Sequence, residues 1–182
     1  MPGSPAGDLS SPKGVPRVAP AGRCLPVPAQ RADGEVVKAR LINETPRTFA
    51  VVLDSGDEAV SAIESWADQE HVGAASVSAI GAFRAAVIGF FAWDSKEYER
   101  IPVPEQVEVV SLLGDLALAD GKPKLHAHVV LGCRDGSARA GHLLSGEVRP
   151  TLEVLVSESP GHLRRVRHHE TGLALIDLDE PG

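Results

Sequence analysis

The chain has two cysteines, one methionine and seven aromatic residues among 182. Cys24 and Cys133 lie far apart in dissimilar surroundings, which excludes a disulfide-stapled scaffold and makes a reducing compartment the expectation. No apolar run approaches the eighteen or so residues a membrane helix needs; the longest, residues 85–93, is about half that. The amino terminus has no basic segment followed by an apolar stretch, so no signal peptide is expected. A cytoplasmic protein without a membrane partner is the expectation. Also missing are a G-x-S-x-G elbow, a phosphate-binding glycine loop and a dinucleotide fingerprint. Serine hydrolysis, phosphoryl transfer and hydride transfer therefore have no sequence basis.

What is present divides unevenly. Residues 1–34 carry seven of the fourteen prolines and no aromatic residue, a composition that cannot bury enough apolar surface to offset its conformational entropy. A disordered Pro/Gly/Ala-rich tail is expected there, and one folded domain over residues 35–182. The tail has a net charge of +2, which leaves −9 on the folded part out of the total of −7. An acidic body disfavours extended contact with a phosphate backbone or anionic lipid. Arg164, Arg165, Arg167, His168 and His169 form the best candidate for a local basic patch; the competing reading is a solvated edge neutralised by Asp177, Asp179 and Glu180.

Residues 36–42 and 47–53 are β-rich runs separated by a turn composition, and so predict a hairpin. Ser55-Gly-Asp-Glu58 has the form of a capping box, and Ala59, Ile63, Trp66 and Ala67 then recur at helical spacing to about Glu70, with Glu58, Glu64, Asp68 and Gln69 facing away. Residues 75–80, 85–93, 107–113, 125–131 and 152–156 have strand character. One amphipathic helix among many strands, without βαβ alternation, predicts an α+β domain on a mostly antiparallel sheet.

Chemistry concentrates at His126-Ala-His128 and Gly141-His142. Alternate strand residues share a face, so His126 and His128 stand side by side about 7 Å apart at their α-carbons, while Leu125, Ala127, Val129 and Leu131 line the other face. A five-residue loop over residues 133–137 brings His142 opposite His128 on the histidine face; a two-residue turn at Asp135-Gly136 places it on the other face unless a bulge intervenes. Three neutral imidazoles with an open fourth position suit zinc, whereas an H-x-H pair on a solvated face has the same spacing. Cys133 is a nearby alternative ligand or a small apolar filler. His71, His162, His168 and His169 have no comparable spacing and are expected at the surface.

These residues resemble the plant and prokaryote conserved (PPC) domain family. The resemblance rests on an ordered series: Gly56-Asp-Glu-Ala59 after a strand, Ser78-Ala-Ile-Gly-Ala82, Val109-Val-Ser-Leu-Leu-Gly114, Asp120-Gly121, Leu125-His-Ala-His128, Asp135-Gly136, Gly141-His-Leu-Leu-Ser-Gly146 and Thr151-Leu-Glu-Val154. It implies a PPC-like α+β subunit that assembles as a homotrimer, with His126, His128 and His142 holding a metal, zinc being expected. The fold is also similar to acetolactate decarboxylase. Plant members join the domain to an AT-hook; here the nearest segment, Gly22-Arg23-Cys24-Leu25-Pro26, lacks the paired arginines a narrow minor groove selects, so the resemblance implies the bacterial type without that hook.

Three functions follow as expectations: a metal-binding homotrimer, a DNA-binding regulatory protein, or a metal-dependent lyase or hydrolase on a small anionic, carboxylated metabolite. The third needs an acid or base near the metal. Glu153 is the candidate catalytic carboxylate, against the reading of an outward residue alternating with Leu152 and Val154. Glu147 lies beside a turn expected at Gly146. Arg84 either binds an anionic substrate or caps a strand end.

Overall fold

The structure is a computed structural model that describes residues 29–30, 36–159 and 163–177. The expected tail and His162 lie outside the described residues, apart from β1 (Ala29–Gln30), which pairs antiparallel with β2 (Val36–Glu44). β2 forms the predicted hairpin with β3 (Arg47–Leu53), turning at Thr45-Pro46.

The helix α1 (Ala59–Gln69) follows, buried along Ala59, Ala62, Ile63, Trp66 and Ala67. Its cap differs from the predicted box. Glu58 is itself the N-cap, and its carboxylate accepts from the backbone N–H groups of Val60 at 3.2 Å and Ser61 at 2.8 Å. A negative carboxylate there satisfies orphan donors and complements the helix dipole, so Ser55 is not required. The same carboxylate accepts from Gly146 N at 3.1 Å and so ties the helix start to the sheet. Glu64 also departs from expectation. It turns inward and accepts from Leu125 N at 3.1 Å and Lys124 Nζ at 2.8 Å.

Among the described residues seven strands follow: β4 (Ala74–Ala92), β5 (Glu97–Val103), β6 (Val107–Ala119), β7 (Lys122–Gly132), β8 (Ala138–Glu158), β9 (Arg164–Arg167) and β10 (Ala174–Asp177). The two runs expected at 75–80 and 85–93 are one strand, β4. Gly81, with φ +149, sits where its register shifts, and Arg84 reaches across to Glu147 instead of ending the strand. Among the described residues all pairings are antiparallel except Leu118 with Arg164, which joins β6 to β9 in parallel. β4 pairs with β6 and β8, β6 with β7, and β7 with β8, so these four strands close into a circuit. α1 packs on β7 and β8, and the core gathers Trp66, Phe83, Leu53, Ile63 and Leu112. Phe49 meets Trp66 edge to face at 5.1 Å between centroids. Among the described residues no helix is long and apolar enough to cross a membrane.

Candidate metal centre

The histidine face is built by the hairpin of β7 and β8. Ala127, Val129 and Leu131 are buried on the core side, which commits the alternate residues His126 and His128 to the opposite side. The loop takes the five-residue form. Gly132 pairs with Ala138 and His128 with His142, with Cys133–Ser137 between them. Gly136 has φ +82, a backbone state open to glycine, while Asp135 Oδ1 accepts from Ser137 N at 2.9 Å and Ser137 Oγ at 2.6 Å. Cys133 packs against the core as a partly buried apolar residue.

The three imidazoles converge. Their ring centroids are 5.1–5.4 Å apart, and one nitrogen from each lies within 4.8 Å of the others. Nitrogens around a tetrahedral zinc at about 2.0–2.1 Å sit roughly 3.3 Å from one another, so the rings need to close by no more than about 1.5 Å, within reach of side-chain rotation. The donor set fits a metal in a second respect. His142 Nδ1 is buried with no hydrogen-bond partner, a state that otherwise leaves a desolvated polar atom uncompensated.

The electrostatics favour the neutral form of two of the imidazoles, His126 and His142. Burial, then the neighbouring His126 and His128, then Arg165, push the His142 imidazole down to about 4. His126 is lowered chiefly by burial and by the Arg165 charge, against the opposing pull of Asp115. Neutral imidazole is the form that donates a lone pair to a metal.

Three residues complete the surroundings: Tyr98 and Asp115, which the sequence did not single out, and Arg165, which it did not connect with the histidines. Tyr98 on β5 stacks on the His142 ring at 4.6 Å and 26°, and burial raises its phenol pKa. Asp115 stands opposite His126 in the β6–β7 ladder, its Oδ2 3.6 Å from His126 Nδ1. Arg165, placed by sequence in a basic patch or solvated edge, pairs through Nη2 with Asp115 Oδ1, and its side chain is only 7% exposed. Its neighbours Arg164, Arg167, His168 and His169 are exposed. An acidic residue inside the apolar run of β6 was the one available signal.

The remaining candidates lie elsewhere. Glu153 is exposed on β8, paired with Val52 and Ile80, eleven residues along the strand from His142 and not in the histidine cluster. Arg84 and Glu147 form a two-pronged pair at 2.6 and 2.5 Å. His71 is exposed.

The family model of the Plants and Prokaryotes Conserved (PCC, also written PPC) domain matches residues 41–160. The chain belongs to this family. Solved structures similar to it include a PPC protein from Pyrococcus horikoshii, 33% identical with a TM-score of 0.68, over 74% of this chain and 93% of that one. A metal-containing protein from Archaeoglobus fulgidus is 35% identical with a TM-score of 0.67, over 78% and 98%. A candidate DNA-binding protein from Bacteroides thetaiotaomicron is 26% identical with a TM-score of 0.74, over 79% and 99%. No curated protein matches the chain.

Proposed function

We propose that this PPC protein is a cytoplasmic homotrimer that binds zinc through His126, His128 and His142, leaving a fourth coordination position open. The observation that carries the metal reading is the convergence of three imidazole nitrogens within 4.8 Å. The unpartnered His142 Nδ1 and the metal content named for the Archaeoglobus relative support it. Zinc at such a site supplies Lewis acidity or an activated water. The chain's own contribution is to hold two imidazoles on one strand, the third directly opposite, and a tyrosine ring against that third.

Assembly is supported by the outer sheet face. Ile80, Val110, Leu113 and Leu155 are each more than half exposed there, a contiguous apolar surface uncommon on a monomer. Leu113 is directly opposite His128, so the apolar face runs into the metal centre without a break.

Elemental analysis of protein purified without chelator tests the metal reading. The expected result is one zinc per chain, lost when His126, His128 and His142 are all changed to alanine. Metal-free wild type, or zinc retained by the triple variant, refutes it. Sedimentation tests the trimer, and a monomer at micromolar concentration refutes that part.

DNA binding is the second reading, favoured by the name of the Bacteroides relative. The acidic body opposes it, since phosphate contacts depend on Lys and Arg. Affinity for AT-rich duplex that falls steeply with salt would establish it.

A further inference from the structure

We propose that Asp115 and Arg165 act together as a positioning pair for His126, fixing its proton on Nδ1 and leaving Nε2 free for a metal. The proposal deepens the metal reading and rests on it for the ligand role of His126.

The geometry is continuous across three strands. Asp115 on β6 is directly opposite His126 on β7, so both side chains project from one face. One carboxylate oxygen faces His126 Nδ1 at 3.6 Å, and the other receives Arg165 Nη2. Arg165 is in turn held by its own hairpin: its Nη1 donates to Ala174 O at 3.1 Å, and Arg165 pairs with Ile176 in the β9–β10 ladder. That hairpin is fastened to β6 by Leu118, whose N–H donates to Leu163 O at 2.7 Å and which pairs with Arg164.

A buried guanidinium is expensive to desolvate unless it meets a carboxylate, so Arg165 at 7% exposure fixes the rotamer of Asp115. A carboxylate pinned through one oxygen presents the other to Nδ1. A carboxylate that accepts from the other ring N–H fixes the tautomer and ring orientation of a ligating histidine; Asp115 Oδ2, at 3.6 Å, stands a few tenths of an ångström beyond that contact. The hairpin lies beyond residue 160, where the family model's match ends, so that match does not include Arg165.

Nitrogen-15 NMR of the metal-free full chain at neutral pH reports the tautomer directly, and chelator competition reports zinc affinity. Wild type is expected to carry the His126 proton on Nδ1. Arg165→Met and Asp115→Ala are expected to lose that preference and to weaken zinc binding about 10–100-fold. Because the two residues act in series, the double variant should be no weaker than the worse single one. Circular dichroism separates these effects from unfolding, and the wild-type tautomer is a test that needs no variant. His126 protonated on Nε2 in the wild type, or folded variants with unchanged tautomer and zinc affinity, overturns the proposal. Wild type that binds no zinc while His126 is protonated on Nδ1 refutes the metal reading and leaves the positioning pair standing.

Discussion

Changing Gly114 to alanine should damage the metal centre from behind. Gly114 on β6 lies against the β7 backbone between two of the candidate ligands. A β-carbon there would meet His126 O at 2.3 Å and both the α- and β-carbons of Ala127 at 2.9 Å. Ordinary contact begins at about 3.4 Å, so β7 must retreat by roughly 0.5–1 Å, at the residue that carries the first imidazole. Overpacking of this size costs about 1–3 kcal/mol, which corresponds to a fall in Tm of roughly 2–12 °C for a domain this long. A shift near 1 Å is comparable to the closure the three nitrogens need, so zinc affinity should fall about tenfold or more. Gly121→Ala is the control. Its β-carbon meets nothing within 4 Å, but φ is +76, so it should cost about 1–2 kcal/mol in backbone strain and leave zinc binding alone. Thermal melting of the metal-free proteins and chelator competition measure both effects. A Gly114→Ala protein with wild-type Tm and wild-type zinc affinity would show that β6 does not set the position of His126.

Acid should destabilise the metal-free protein before the ordinary carboxylate range is reached. With His142 near 4 in the fold and 6.5 in the unfolded chain, the unfolded state binds more protons between those values. Stability therefore rises with pH across that window, by about 1–2 kcal/mol after solvent screening of a half-buried ring is allowed for. Urea melts at pH 4.5 and 7 check it, and His142→Gln should remove the corresponding part of the slope. Glu64→Ala should cost about 1 kcal/mol and accelerate amide exchange at Leu125, whose N–H it receives; unchanged exchange there would refute the contact. Arg47→Met should cost about 1 kcal/mol by breaking the two-pronged pair with Glu158, both contacts at 2.5 Å, that joins β3 to the end of β8. Equal urea midpoints for Arg47→Met and wild type would assign that pair no role.

The candidate ligands were legible because they belong to a single hairpin. His126, His128 and His142 are brought together by strand alternation and loop length, and both can be counted along the chain. Counting left two loop forms open, and Gly136 at φ +82 within the five-residue loop is what places His142 on the histidine face. The continuous β4 was harder to see, because Gly81 and Arg84 have the composition of a break; the pairing of Arg84 with Glu147 across the sheet carries the strand through. β5 was hidden by Pro102, which removes a ladder donor. It is tolerated because, among the described residues, β5 pairs only with β4 and so lies at an edge.

The surroundings of the imidazoles were illegible for a different reason. Asp115 and Arg165 are fifty residues apart and meet because a short parallel contact lays β9 along β6, and neither periodicity nor motif spacing encodes such a pairing. Burial of Arg165 is equally invisible in a segment whose neighbours are Arg164, Arg167, His168 and His169. Yet these remote elements decide what the hairpin can do. An H-x-H strand with a third histidine opposite is by itself three rings free to rotate on a surface. Here Gly114 sets the depth of β7, Glu64 holds its start, Tyr98 limits His142 and Asp115 faces His126, so little rotamer freedom remains to be lost when the rings close. Preorganisation of that kind favours binding in proportion to the disorder already removed. On the proposed metal reading, the strands around the hairpin should therefore contribute to the affinity of the centre alongside the three histidines themselves.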